Sequence, residues 1–456
     1  MTVIELGVSV GVAGGSSHQF RRGVNHRSRS SQVCQHRPIY VGKVKRLLLP
    51  WFVAASVLAG VVLSSFASSA SPGYYLWRPL GVAMTLGLVI GAISLLARRF
   101  APIVAAAIAV LVVGGSHLWV LLVVAATLLF VLAAERFHWR VDPGGPLVAA
   151  AGVFLVVGVV RAAPLIPEPH PDSTGSVSGS PTYLILLDSY PRPDSLADLD
   201  IDISPFLTAL KSRGFDYYPD AQTVDGWTHR TIARMLDQPL EGADVSGDSR
   251  EKLRIRSRFR LPDGFVVIAP PIGHVTFPTE ADIGSGGLTS LDIHLIGQGL
   301  FARFDPVGDW VMEDLRDRVD ESFDALAQTE EDFVFAHILA PHQPFLFGPD
   351  GAGDPPDCWP GCDLFGVHTL TGLEETLTWL NQRVVETVDD LILRHPDARI
   401  VVFSDHGGRF GEFEPGSEWY RTLLLARTPG QSRLLDNDPS PTSLVSRLLD
   451  NRTVER

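Results

Sequence analysis

The chain has 456 residues, of which 46% are hydrophobic and 20% charged, with a mean hydropathy of +0.17 and a formal net charge of −13. Its apolar residues are concentrated in the first third, which indicates a membrane part followed by a soluble domain. The first part is basic, so the soluble domain carries the acidic excess, and nucleic acid is not expected as a partner.

Apolar segments predict a bundle of about five transmembrane helices over residues 47–163, after a basic cytoplasmic tail over residues 1–46. The first segment is long enough to cross a bilayer core of ~30 Å. The third is short and rich in Ala and Gly, so a re-entrant hairpin formed with the fourth remains an alternative. The segments lie near Leu47–Ala67, Leu80–Leu96, Ala101–Gly115, Leu118–Ala134 and Pro146–Val160.

Basic residues predict the orientation of this bundle. Arg and Lys precede the first segment, and Arg pairs follow the second (Arg98, Arg99) and the fourth (Arg136, Arg140). Since basic loops stay in the cytoplasm, five spans would place everything after about Ala163 on the outer face. The first segment is too long for a signal-peptide core and would act as an uncleaved insertion signal. We therefore expect a multi-pass plasma-membrane protein with an extracytoplasmic domain.

Residues 164–180 are rich in Pro, Ser and Gly, which is typical of a linker. Residues 181–456 are then long enough for one domain with a single core. Within it, Cys358 and Cys362 lie in the Pro/Gly-rich stretch PPDCWPGCDLF, where we predict a disulfide in an oxidising compartment. A zinc site there would need further soft ligands, which the neighbouring sequence lacks.

Strands and helices alternate along this domain, which predicts an α/β fold with a mostly parallel sheet covered on both faces. Continuous apolar strands of the buried, parallel kind are predicted at Tyr183–Asp188, Phe265–Pro270, Phe333–Ile338, Arg399–Ser404 and Leu423–Ala426. Helices are predicted from Ser204 to Gly214, from Thr228, at about Trp310–Ala327, over residues 373–396 and near Pro441–Leu449.

Polar residues follow the ends of three predicted strands. Asp188 ends the first, Asp405 and His406 end the fourth, and His337 and His342 flank the end of the third. Because ligands collect at the carboxyl ends of parallel strands, we expect these residues at one edge, as a site for a divalent metal. Taken singly, each has a structural explanation, as a helix N-cap or as a satisfied histidine.

Thr228 is the predicted nucleophile. In DGWTHRTIARMLDQ it precedes the apolar positions of a helix, so its hydroxyl lies at a helix N-terminus, where anions are attracted and an ionised hydroxyl is favoured. A hydroxyl that also binds a divalent cation ionises more readily. An ordinary Thr N-cap is the structural alternative, and Thr223 and Thr231 are weaker candidates for the nucleophile.

Four blocks in this order carry a resemblance: LLDSYPRPDSL, THRTIARMLD, AHILAPHQPF and VVFSDHGGRFGE. They resemble the signature blocks of the sulfatase-like branch of the alkaline phosphatase superfamily. With the preceding apolar segments, the chain is similar to bacterial membrane phosphoglycerol and phosphoethanolamine transferases, including lipoteichoic acid synthases. The resemblance implies an alkaline-phosphatase-like domain in which one divalent ion, Zn or Mn with Mg or Ca as further options, is held by Asp188, Thr228, Asp405 and His406.

The resemblance also implies that His342 contacts the anionic group of the substrate, and His337 and Arg409 are further predicted substrate contacts. The chain departs from the family in three ways. Thr228 stands where sulfatases carry the Cys or Ser that becomes formylglycine, so sulfate-ester hydrolysis is disfavoured. A second Asp-x-x-x-His pair is missing near the third strand, which favours one metal over two. No His follows the DHG motif closely, and Arg409 or Arg421 would supply that positive charge.

These residues predict a phosphotransferase or phosphodiesterase that acts through a phosphothreonine. Because the membrane part holds the domain near lipid head groups, we expect a phospholipid donor and an envelope glycan or lipid acceptor. Two other classes remain open: a sulfuric ester hydrolase without formylglycine, and a non-catalytic envelope protein that keeps the fold as a binding module.

Overall fold

The structure is a computed structural model. It describes residues 39–69, 76–95, 104–105, 108–109, 144–162, 179–223, 226–235, 266–269, 288, 290–298, 305–351, 370–408, 418–431 and 440–441. The chain forms two compact units, Met1–Val44 and Lys45–Arg456, and the site described below belongs to the second. The domain boundaries expected from the sequence remain predictions.

In the part of the chain that the structure describes, the apolar helices α1 (Ile39–Ser69), α2 (Trp77–Ser94) and α3 (Gly144–Ala162) precede the α/β domain. Among the described residues, one stretch is long and apolar enough to cross a membrane, Leu48–Ser65, while α2 and α3 contain shorter apolar stretches. The third and fourth predicted spans lie almost wholly outside the described residues. Beyond this one candidate span, the multi-pass bundle remains a prediction.

Helices α1 and α2 pack closely through small residues. A Cβ added to Gly87 would lie 2.7 Å from the Cα atom of Ala55, and one added to Gly91 would lie 2.6 Å from the Cα atom of Trp51. Small residues at this spacing let two backbones approach, as they do in membrane helix pairs. Large apolar side chains of α2 and α3 are also exposed, as lipid-facing side chains would be; they include Val82, Leu88, Ile93, Val153 and Val160.

The described residues of the domain form a sheet of six strands in the order β2-β6-β5-β1-β4-β3. Its strands are β1 (Thr182–Leu187), β2 (Asp216–Tyr217), β3 (Val266–Ile268), β4 (Phe333–Ile338), β5 (Arg399–Phe403) and β6 (Leu424–Arg427). Strands β5, β1, β4 and β3 are parallel, whereas β6 runs antiparallel to β5 and β2 antiparallel to β6. The prediction of a mostly parallel sheet is therefore corrected: the sheet is mixed, because β6, which lies between β2 and β5, runs opposite to both of its neighbours.

Helices accompany the strands and bury their apolar sides in one core. They are α4 (Pro193–Ala197), α5 (Ser204–Ser212), α6 (Thr228–Met235), α7 (Ser290–Gln298), α8 (Asp305–Gln328), α9 (Leu370–Arg394) and a 3-10 turn at Glu418–Tyr420. Every residue of β1 and β4 is buried, which fits central strands that carry an unbroken apolar run. The helix predicted near Pro441–Leu449 lies almost wholly outside the described residues.

Candidate functional site

The carboxyl ends of the central strands lie side by side. Leu186 of β1 pairs in register with His337 of β4 and with Phe403 of β5, so the residues that follow meet at one edge. Asp188, Asp405 and His406 are all buried there, and one ligand atom from each lies within 4.8 Å of the other two. The structure thus brings together the two carboxylates and the imidazole that the sequence predicts at this edge.

His406 presents one ring nitrogen to the other site residues. Its Nδ1 lies 2.8 Å from the carbonyl oxygen of Gly407, which only accepts, so Nδ1 carries the proton and Nε2 offers its lone pair. Nε2 lies 3.3 Å from Asp405 Oδ2 and 3.8 Å from Asp188 Oδ1. A backbone carbonyl that fixes the tautomer in this way is typical of a metal-binding histidine.

Thr228 brings a hydroxyl to the same nitrogen. It is the first residue of α6, and its buried Oγ1 lies 3.3 Å from His406 Nε2. The predicted nucleophile therefore lies beside the predicted ligands. The two rival hydroxyls, of Thr223 and Thr231, pair with each other at 3.0 Å.

The residues present fit a divalent cation. Asp405 Oδ2 is buried and has no hydrogen-bond partner among the described residues. A buried carboxylate oxygen beside an imidazole lone pair is unfavourable unless a cation compensates for the lost hydration. Two carboxylates, one imidazole and one hydroxyl form a donor set that suits Zn and Mn.

Asp188 is ionised at neutral pH. Its burial opposes ionisation, but the nearby His342 and the hydrogen bond with His337 outweigh that effect and hold the pKa of Asp188 well below its usual value. His337 Nε2 lies 2.9 Å from Asp188 Oδ2, and the histidine ring has no exposed surface. The predicted contact between His337 and a substrate remains untested, and the geometry favours a supporting role instead.

Ser189 is a site residue that the sequence analysis missed. Its backbone N–H donates to Asp405 Oδ1 at 3.1 Å, and its hydroxyl donates to Asp188 Oδ1 at 3.0 Å. The residue has a φ of +64°, in the left-handed region that non-glycine residues seldom adopt. A Ser after a strand is so common in turns that its type alone gives no signal of this role.

The other predicted contacts are described only in part. His342 Nδ1 donates to the carbonyl oxygen of Gln343 at 2.7 Å, and its charge acts on Asp188 from the loop after β4. Arg421 lies 3.1 Å from a carboxylate oxygen of Glu418 and 3.6 Å from one of Asp194. Three predicted residues lie outside the described part of the chain: Arg409, Cys358 and Cys362.

No family model and no curated protein matches the chain. Several solved structures match it. Lipooligosaccharide phosphoethanolamine transferase A from Neisseria meningitidis is 16% identical over 91% of this chain and 84% of that chain, with a TM-score of 0.38. The C-terminal periplasmic domain of EcEptC from Escherichia coli is 14% identical over 63% of this chain and 86% of that chain, with a TM-score of 0.36.

A candidate sulfatase from Bacteroides fragilis is 12% identical over 62% of this chain and 76% of that chain, with a TM-score of 0.33. These are the kinds of protein that the four sequence blocks resemble. Because all three TM-scores are below 0.5, the chemistry of this chain has to be inferred from its own residues.

Proposed function

We propose that the chain is a membrane-anchored, metal-dependent transferase that moves a phospho-head group from a phospholipid to an envelope acceptor through a phosphothreonine on Thr228. The observation that carries this proposal is the position of Thr228 Oγ1, 3.3 Å from His406 Nε2 and beside two buried carboxylates. A lone N-cap threonine would need neither the imidazole nor the carboxylates.

Four residues would hold the ion: Asp188, Thr228, Asp405 and His406. When bound, a divalent ion lowers the pKa of a hydroxyl ligand and offsets the negative charge of a phosphoryl group. The protein contributes a rigid and dry setting, since both carboxylates are fully buried and their charges act strongly where water is excluded.

In the first step, Thr228 Oγ forms a bond to phosphorus while the bond between phosphorus and the glycerol oxygen of the lipid breaks. The threonine loses one proton, and the departing diacylglycerol gains one. In the second step, a hydroxyl of the acceptor attacks phosphorus and releases Thr228 with its hydroxyl restored. Water in place of that acceptor would make the reaction a hydrolysis.

We assign His342 the role of contacting the phosphoryl oxygens of the substrate. It lies on the loop that follows β4, at the strand end that carries the site, which supports a contact between its ring and a substrate at Thr228. A phospholipid is the preferred donor because apolar helices precede the domain, and attachment to a bilayer raises the effective concentration of lipid head groups at the site.

Peptide mass spectrometry after incubation of the full chain with a phospholipid tests this proposal. The full chain in detergent, loaded with Mn²⁺ or Zn²⁺, is incubated with phosphatidylethanolamine or phosphatidylglycerol and then digested. We expect a phosphoethanolamine or phosphoglycerol adduct on Thr228. Thr228→Ala should lose the adduct and reduce turnover by at least about 10³-fold, whereas Thr228→Ser should retain part of both.

Thr223→Val is the matched control, because the hydroxyl of Thr223 pairs with Thr231; this variant should keep the adduct. Turnover by Thr228→Ala, or an adduct at another residue, would contradict the proposed nucleophile. A parallel assay with an aryl sulfate and an aryl phosphodiester separates the remaining classes. Preference for the sulfate would indicate a sulfuric ester hydrolase, and bound metal without turnover of either ester would indicate a binding module.

A further inference from the structure

Two residues outside the proposed ligand set hold the carboxylates of the site. We infer that His337 and Ser189 are positioning residues that orient Asp188 and Asp405 before an ion binds, so that metal affinity depends on side chains that are not themselves ligands. This inference rests on the proposed metal dependence of the chain.

His337 fixes the far side of Asp188. The carboxylate only accepts hydrogen bonds, so His337 Nε2 carries the proton and donates to Asp188 Oδ2 at 2.9 Å. Within the described residues, His337 Nδ1 has no hydrogen-bond partner, so the polar contact of this ring is directed to Asp188. With no exposed surface, the ring acts on the site through that carboxylate.

The backbone holds this pair in place. His337 lies within β4, opposite Leu186 of β1, and the N–H of Asp188 donates to the carbonyl oxygen of Ile338 at 3.0 Å. Backbone pairing of β1 with β4 therefore fixes the positions of His337 and Asp188 relative to each other. Rotation of the Asp188 carboxylate would break a hydrogen bond without moving the backbone, so His337 sets which oxygen faces His406.

Ser189 joins the ends of β1 and β5. Its N–H donates to Asp405 Oδ1, and its hydroxyl donates to Asp188 Oδ1. Because Oδ1 of Asp405 is occupied in this way, Oδ2 is the oxygen that faces His406 Nε2 at 3.3 Å. The left-handed backbone of Ser189, with a φ of +64°, aims the N–H of this residue at the second carboxylate.

Donors that hold ligands in place affect metal affinity strongly, and loss of such a partner typically weakens binding by about 10–100-fold. His337→Leu removes the donor at similar volume, and His337→Gln restores an N–H at a comparable position. We expect His337→Leu to raise the Kd for Mn²⁺ and Zn²⁺ by about 10–100-fold and His337→Gln to recover most of that loss. Ser189→Ala should weaken binding less, because the backbone N–H to Asp405 remains.

The measurement is the Kd of each ion for the full chain in detergent, by competition with a chelator, together with the absorption spectrum of bound Co²⁺. His395→Leu is the matched control, since this histidine lies at the end of α9 against the ring of Tyr183. It should leave both the Kd and the spectrum unchanged. A folded His337→Leu with an unchanged Kd would overturn the inference.

If His337→Leu does not fold, Ser189→Ala decides the question, and a Kd and a Co²⁺ spectrum equal to those of the unmodified chain overturn the inference. Failure of the proposed function would look different. An unmodified chain that binds no divalent ion refutes the metal dependence itself. An unmodified chain that binds metal and forms phosphothreonine, alongside variants of unchanged Kd, refutes only the positioning role.

Discussion

The site has two halves that are held in different ways. We call Asp188, Asp405 and His406 the floor, and residues 339–351 after β4, which carry His342, the rim loop. The floor is buried, and its side chains are bonded to Ser189, to His337 and to backbone at the strand ends. The rim loop is instead anchored at a distance from the site, on helix α9.

That anchor consists of packing and one hydroxyl. Phe347 stacks on Trp379 with ring centroids 3.6 Å apart and planes 5° apart, and Thr376 donates to the carbonyl oxygen of Phe347 at 3.0 Å. The position of the floor therefore follows from strand register, whereas that of the rim loop follows from packing against the core and against α9. We expect changes in the floor to alter metal affinity, and changes in the rim loop to alter turnover alone.

Three substitutions test this difference between the floor and the rim loop. Gly407→Ala should displace the floor and produce the largest effect. An added Cβ would lie 2.1 Å from the carbonyl oxygen of Glu418 and 2.6 Å from that of Arg421, and neither is the flexible end of a side chain. The required shift also moves the carbonyl of Gly407, which accepts the Nδ1 proton of His406. We expect a loss of about 1–3 kcal/mol or more in the free energy of unfolding, with weaker metal binding.

Thermal melting in detergent and the Kd for Mn²⁺ measure both effects. Gly152→Ala is the control, because an added Cβ there has no atom within 4 Å, and this variant should melt at an unchanged or higher temperature. Normal stability and normal affinity in Gly407→Ala would mean that the contact with the 3-10 turn does not hold the floor.

His342→Gln should show that the rim loop affects turnover without affecting metal affinity. The ring lies on the rim loop and is assigned to the phosphoryl oxygens, so its loss should lower turnover by about 10²-fold, the usual scale for one group that stabilises a transition state. The Kd for Mn²⁺ should change little. His395→Gln serves as the control, and a Kd that weakens as much as turnover would place His342 among the ligands.

Local sequence signals determine which parts of the fold could be predicted from the sequence. Phe333–Ile338 was predicted with the bounds that the structure has, and α6 begins at Thr228 as predicted, because apolar runs and helix starts are local signals. The direction of β6 was not predictable, since an apolar run reads alike in either direction. Strand β2, with two residues, is too short to leave a pattern.

Within the site, Asp188, Asp405 and His406 were predictable because acid and imidazole side chains at strand ends meet at one edge of a sheet. Ser189 and His337 were not assigned their observed contacts. Their contacts depend on which donor faces which carboxylate oxygen, and that is decided by backbone torsion and strand register. Residue type and spacing specify neither.

Thr376→Val, which weakens the anchor of the rim loop, should produce the smallest effect of the three substitutions. The hydroxyl is buried and donates to the Phe347 carbonyl, so Val keeps the shape and removes about 1 kcal/mol of anchoring. We expect turnover to fall several-fold while the Kd for Mn²⁺ stays constant. Thr378→Val is the control on the same helix, since the hydroxyl of Thr378 donates to the Glu374 carbonyl at 2.8 Å on the exposed side. Equal losses of turnover in both variants would mean that α9 stability, and not the position of the rim loop, limits the reaction.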